Sequence, residues 1–303
     1  MLPTTLNTKN LALGLAIGLL AASIGALYTV YARWGIAHGL SAPDLTALRF
    51  GVAGIVMLPI LIAAFKTIRS TLYEQRRIWL AVSLLAGTPF GLLMFGALQF
   101  APTSHAAVFP FSSMSVMGML MGAWVLGDPI SQRKAMGIAV VLAGLVLVSG
   151  IEVSTFTSRA LFGDLLFIAV GTLWSGFGVL LRKHRLDPLL ATSVIAFSAL
   201  VTYVPCYLWV TDAKGLIAAS SHVFWTEALV QGLIAGTGTL YTYAKMVSIL
   251  GPSRAAVFPA LAPGLAALMA WPILGHVPNT FEVLGLLTVM AGLLFAVTGT
   301  NKV

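Results

Sequence analysis

The sequence predicts an all-α integral membrane fold: ten transmembrane helices in two inverted five-helix repeats, with the N- and C-termini cytoplasmic. Three observations carry this reading. The 303 residues are 59% hydrophobic and only 9% charged, with a mean hydropathy of +0.97, whereas soluble domains carry roughly 25% charged residues. The apolar residues gather into runs of about 20, the length a helix needs to cross the hydrocarbon. Finally, the heptad S-H-A-A-V-F-P at Ser104 to Pro110 returns as S-R-A-A-V-F-P at Ser253 to Pro259, 149 positions later. The chain is therefore two copies of one unit.

Reading between charges and turn residues places the spans at 11–33, 45–65, 78–99, 104–127, 132–151, 162–182, 189–210, 224–246, 253–274 and 281–299. All are apolar around their whole circumference and rich in glycine, which suits helices packed closely in lipid and not the alternating strands of a barrel. The first run is too long for the apolar core of a signal peptide, and the first copy would be one helix short without it. Lys and Arg set the direction. With the N-terminus inside, Lys9, Lys66, Arg69, Arg76, Arg77, Arg133, Lys134, Arg182, Lys183, Arg185, Lys245, Arg254 and Lys302 are cytoplasmic, 13 of the 17 basic residues. Arg33, Arg49, Arg159 and Lys214 are left outside.

The repeat holds register beyond the heptad. Ala86-Gly87-Thr88 matches Ala235-Gly236-Thr237 at the same offset, while Leu126-Gly127, Gly137 and Ala143-Gly144-Leu145 match Leu274-Gly275, Gly285 and Ala291-Gly292-Leu293 at an offset one shorter. Five spans per copy is an odd number, so the second copy enters from the opposite face. In a bilayer two such halves meet around a site near the midplane. The units expected are residues 1–152 (spans one to five) and 153–303 (spans six to ten), hinged near Glu152 to Leu161.

Ten spans in two halves, A-P-T-S-H-A-A between the third and fourth, Leu126-Gly127-Asp128 closing the fourth, and a fifth span containing Ala143-Gly144 together resemble the drug/metabolite transporter superfamily, EamA type. Within it the chain is most similar to the bacterial aromatic amino-acid exporters. The family closes its fourth span with Leu-Gly-Glu; here Asp128 takes that place and His276 its counterpart in the second copy. The resemblance implies a multi-pass protein of the bacterial inner (plasma) membrane, a basket of helices working by alternating access. Spans one to four and six to nine would surround the cavity, with five and ten peripheral. It also implies export of amino acids, aromatic and other neutral ones. Export of other small metabolites or drugs, or a channel-like facilitator, are the alternatives.

An ionisable group in hydrocarbon marks a pathway or a proton relay. Asp44, Glu74, Asp128, Glu152, Asp164, Asp187, Asp212, Glu227 and Glu282 all fall in loops or in the first turns of a span, as do the histidines at 38, 105, 184, 222 and 276, and no Lys or Arg is central. A lipophilic cation would want a central carboxylate, and a phosphate an arginine or lysine clamp. A neutral or zwitterionic small molecule is left as cargo. Pro110 and Pro259, at equivalent positions about two turns into their spans, free backbone groups and are hinge candidates; Pro89 and Pro263 add irregularity. Arg49 admits two roles, an ion pair with Asp44 or an outer gate.

Polar and aromatic residues at membrane depth complete the binding candidates: Ser23, Tyr28, Thr88, Phe95, Ser112, Ser113, Trp174, Ser175, Tyr203, Thr239, Tyr241 and Tyr243. Trp174 leads, being mid-span, whereas Trp79, Trp209 and Trp225 stand at span ends where an interfacial belt is natural. The basic residues form no patch with interleaved aromatics, which argues against nucleic acid as a partner. The single cysteine, Cys206, cannot form an internal disulfide and reads as a small buried hydrophobe. There is no phosphate-binding Gly-x-x-x-x-Gly-Lys-[Ser/Thr] loop and no His-Glu-x-x-His, so no nucleotide, metal or other cofactor is expected and an enzyme is not. Partners are a small-molecule substrate and membrane lipid.

Overall fold

The computed structural model describes residues 8–148, 157–250 and 258–297. Those residues are helical almost throughout and fall into ten spans in the predicted order. The first is Thr8–Ala37, the second Ala42–Glu74, the third Arg76–Ala86 continued by Thr88–Phe100, the fourth Thr103–Leu126 and the fifth Gln132–Val148. The sixth is Ser158–His184, the seventh Pro188–Thr211 and the eighth Ser221–Leu250. The ninth opens with a 3-10 turn at Phe258–Leu261 and runs on as Ala262–Leu274; the tenth is Thr280–Val297. Of the hinge expected near Glu152 to Leu161, residues 152–156 lie outside the described part, as does Arg254.

Sequence determines where these helices begin and end. Thr157, Asp187 and Ser220 accept N–H bonds from the residue three positions on, capping the sixth, seventh and eighth spans. Gly127 and Gly275, already matched by the repeat, both stop their helices in the left-handed region, at φ 71° and 67°. Glycine carries no Cβ penalty there.

Close packing explains the other repeated glycines. A methyl group built on Gly144 would stand 2.7 Å from the Val289 nitrogen and 2.9 Å from the Gly285 carbonyl oxygen, and one on Gly292 would stand 2.9 Å from the Gly137 carbonyl oxygen. The fifth and tenth spans therefore meet backbone to backbone, at the periphery. The fourth and sixth approach as closely, through Gly171 against Ser113. Two polar contacts also join them: His105 Nδ1 lies 3.0 Å from Asp164 Oδ1 at their outer ends, and Arg182 donates to Asp128 at 2.7 Å and 3.1 Å at their inner ends.

Large apolar side chains such as Ile62, Leu165 and Trp209 point outward, as lipid-facing residues must. Two expectations need correction. Cys206 is exposed on that lipid-facing surface rather than buried, because the small face of the seventh span (Ala191, Ala196, Ala199) is the one turned inward. Trp79 is buried at 5% exposure, not part of a belt, because its segment of the third span is covered by the sixth and seventh. Trp209 and Trp225 are largely exposed, in keeping with the belt.

Candidate functional site

A small cavity is lined by residues of both copies. The first, third, fourth, sixth, eighth and ninth spans line it; Tyr28, Phe90, Phe111, Trp174, Tyr243 and Phe258 supply rings, and Ala21, Ala22, Gly25 and Ala262 leave room between them. The lining includes two pairs of repeat mates: Gly25 and Trp174 are 149 positions apart, as are Phe90 and Thr239. Both copies thus contribute to its lining. Trp174 is its keystone, with ring centres of Phe90, Tyr243 and Phe177 at 5.1, 5.2 and 5.4 Å. Rings in tilted and edge contact hold one another in place.

Of the twelve binding candidates, Tyr28, Trp174, Thr239 and Tyr243 line this cavity. The others stand elsewhere. Phe95 is fully buried core of the third span, Ser112 is buried, and Ser113 is buried at the fourth-to-sixth contact. Ser175 donates to the Met114 carbonyl at 3.0 Å. Tyr203 reaches the Pro43 carbonyl at 3.0 Å near the outer end of the second span. Tyr241 is exposed on the outer surface, and Ser23 and Thr88 are half-buried away from the lining. Gly25, Phe90, Phe111, Met114, Met246 and Phe258 line the cavity without having been singled out. The repeat offset is the signal that finds two of them, since it carries Trp174 back to Gly25 and Thr239 back to Phe90.

The prolines behave unequally. Pro110 sits buried inside a helix that continues past it, whereas Pro259 falls in the 3-10 turn that opens the ninth span. Pro89 and Pro263 occupy first turns, where a missing N–H costs little.

Charge brings the largest correction. Arg49 is 1% exposed, and its guanidinium carbon lies 4.7 Å from the Tyr28 ring centre, 5.8 Å from that of Phe90 and 6.0 Å from that of Phe50. Nε and Nη1 meet no acceptor. A fixed cation therefore stands behind two rings of the cavity wall, where none was expected. The predicted pairing with Asp44 does not form, because Asp44 is already satisfied by the Ser41 amide at 2.8 Å, the Ser41 hydroxyl at 2.6 Å and the Tyr207 hydroxyl at 2.5 Å. Glu227, expected at the watery end of its span, is instead 0% exposed against Gly35 of the first. Thr239, 8% exposed, lines the cavity, and its buried hydroxyl has no partner of its own.

A bundle of apolar helices in two matched halves, with a ring-lined cavity to which both contribute, is the build of a membrane carrier for small molecules. The EamA-like transporter family matches residues 12–150 and again 161–298, and the chain belongs to that family. It is accordingly a multi-pass membrane protein, which in bacteria means the inner membrane. It is 25% identical over 266 residues to the uncharacterized transporter YyaM of Bacillus subtilis (strain 168), 84% of each chain. An uncharacterized transporter of Archaeoglobus fulgidus is 26% identical over 220 residues, 71% of this chain and 74% of that one. A solved crystal structure superposes with a TM-score of 0.64 at 18% identity, over 92% of this chain and 96% of the other. That likeness is one of fold.

Proposed function

We propose that the chain is a secondary transporter exporting amino acids, aromatic and other neutral ones, by alternating access between its two repeats, residues 1–152 and 153–303. The cavity lining supports this reading above all: six rings and several small residues suit a flat apolar side chain, and the Thr239 hydroxyl offers a polar contact to a backbone group. The fourth and sixth spans, joined at both ends, form one wall. The first and ninth pack together as a second wall, where Gly18 lies against Phe258. Rocking of one wall against the other would expose the cavity to each side in turn.

Counterflow of radiolabelled amino acids into proteoliposomes tests the proposal. Saturable exchange of aromatic amino acids is expected, and linear uptake would replace the carrier by a channel. Trp174→Ala should raise KM for an aromatic substrate about tenfold, the equivalent of one lost ring contact of about 1.4 kcal/mol. An unchanged KM would remove Trp174 from the binding surface.

A further inference from the structure

Resting on the reading of the cavity as the transport site, we propose that Arg49 is its anion receptor, so that the cargo must carry a free carboxylate. Aromatic rings surround the guanidinium on three sides, and ring faces only partly offset the cost of taking a cation out of water. Among the described residues no carboxylate stands within ion-pairing distance of it; Asp44 is engaged by Ser41 and Tyr207, and Glu227 packs against Gly35. A buried cation without a protein counter-ion is completed by an anion that arrives.

Position favours the substrate as that anion. Tyr28 and Phe90 both lie against the Arg49 guanidinium and both line the cavity, so the cation stands one ring away from it. No residue of the second span, Arg49 included, lines the cavity itself, so a carboxylate meets the guanidinium when the Tyr28 or Phe90 ring turns aside; the second span's backbone is held firmly at this point, where a methyl group on Gly236 would stand 2.6 Å from the Arg49 carbonyl oxygen. The guanidinium is a planar fork whose donors match the two oxygens of a carboxylate. Its field also works against a solute that is only cationic. The unpartnered Thr239 hydroxyl, also on the cavity wall, gives the bound head group a second contact.

The test is competition in proteoliposome counterflow among four indole compounds: tryptophan, its amide, tryptamine and indole-3-acetate. With wild-type protein the two free carboxylates should compete at least about tenfold better than the amide or the amine, as polar sites reject analogues that leave buried donors unpaired. Arg49→Gln should bring acid and amide within about twofold of each other, while Arg49→Lys, which keeps the charge, should retain part of the preference. Should Arg49→Gln fail to fold, the wild-type acid-to-amide ratio and the Lys variant decide. Equal competition by tryptophan and its amide in the wild type, or an unchanged ratio in Arg49→Gln, overturns the receptor role and leaves amino-acid transport standing. Competition by indole-3-acetate without tryptophan upholds the receptor and removes the amino-acid reading. Competition by tryptamine alone removes both.

Discussion

In the third span the triplet Ala86-Gly87-Thr88 interrupts the helix, whereas in the eighth the same triplet, Ala235-Gly236-Thr237, closes ten residues of π-helix that begin at Ala228. Surroundings account for the difference. Gly87 lies so close to its own Ser83 carbonyl that a Cβ would collide with it, and the chain restarts there with Pro89 in the first turn of the next helix. Gly236 is pressed instead against the second span, where a Cβ would meet the Arg49 carbonyl oxygen and lie 2.8 Å from Ala53 Cβ. Both irregularities have the same product. Three residues after the triplet's glycine come Phe90 and Thr239, both on the cavity lining. Widened or broken turns recur at functional sites because they re-aim side chains. Duplication preserved the aim and let the means diverge.

The comparison breaks most visibly at Gly236. Gly236→Val would drive a branched side chain into the second span at Arg49 and is expected to cost about 3 kcal/mol, the upper end of overpacking effects. Thermal unfolding in detergent checks this, with transport lost in parallel; wild-type stability would mean the two spans do not touch there. Gly87→Ala sharpens the contrast. Its clash is with a carbonyl of the same span, which can move with the break, so about 1 kcal/mol is expected. If the two substitutions cost the same, the two glycines would be serving one purpose and the distinction between them would fail.

How much of this was legible beforehand follows the same division. Composition and the repeat offset gave the ten spans, their two halves and the glycines at 127, 144, 275 and 292, since these depend on period and on the absence of a side chain. The cavity was legible only in part. Trp174 and Tyr243 were found by being aromatic at mid-span, but Tyr203 and Tyr241 met the same criterion and face elsewhere, because sequence does not say which way a wholly apolar helix is turned. Arg49 was misjudged for a related reason. Being one turn into its span suggested water nearby, yet the residues that cover it, Tyr28 and Phe90, come from other spans. Asp44 was the nearest acid in sequence, but Tyr207, 163 positions away, had already taken it.

The smallest effect compares Arg182 with Arg33, its mate 149 positions earlier. Arg33 donates to the Leu98 backbone carbonyl, whereas Arg182 has a carboxylate, Asp128, just past the end of the fourth span. The hydrogen bond from Arg182 holds the Asp128 carboxyl below its ordinary range, against a smaller opposing effect of burial. A depressed carboxyl stabilises the fold above the unfolded-state value of about 3.9, and that contribution fades as pH falls through the lower folded-state value. With side chains 33% and 35% exposed, solvent screening limits the pair to about 1 kcal/mol or less. Asp128→Asn should therefore unfold slightly earlier than wild type at neutral pH, and the gap should narrow with added salt and close in strong acid. A gap that persists unchanged at the lowest pH the protein survives would show that the substituted amide fails by shape, and that charge does not hold the inner ends of the fourth and sixth spans together.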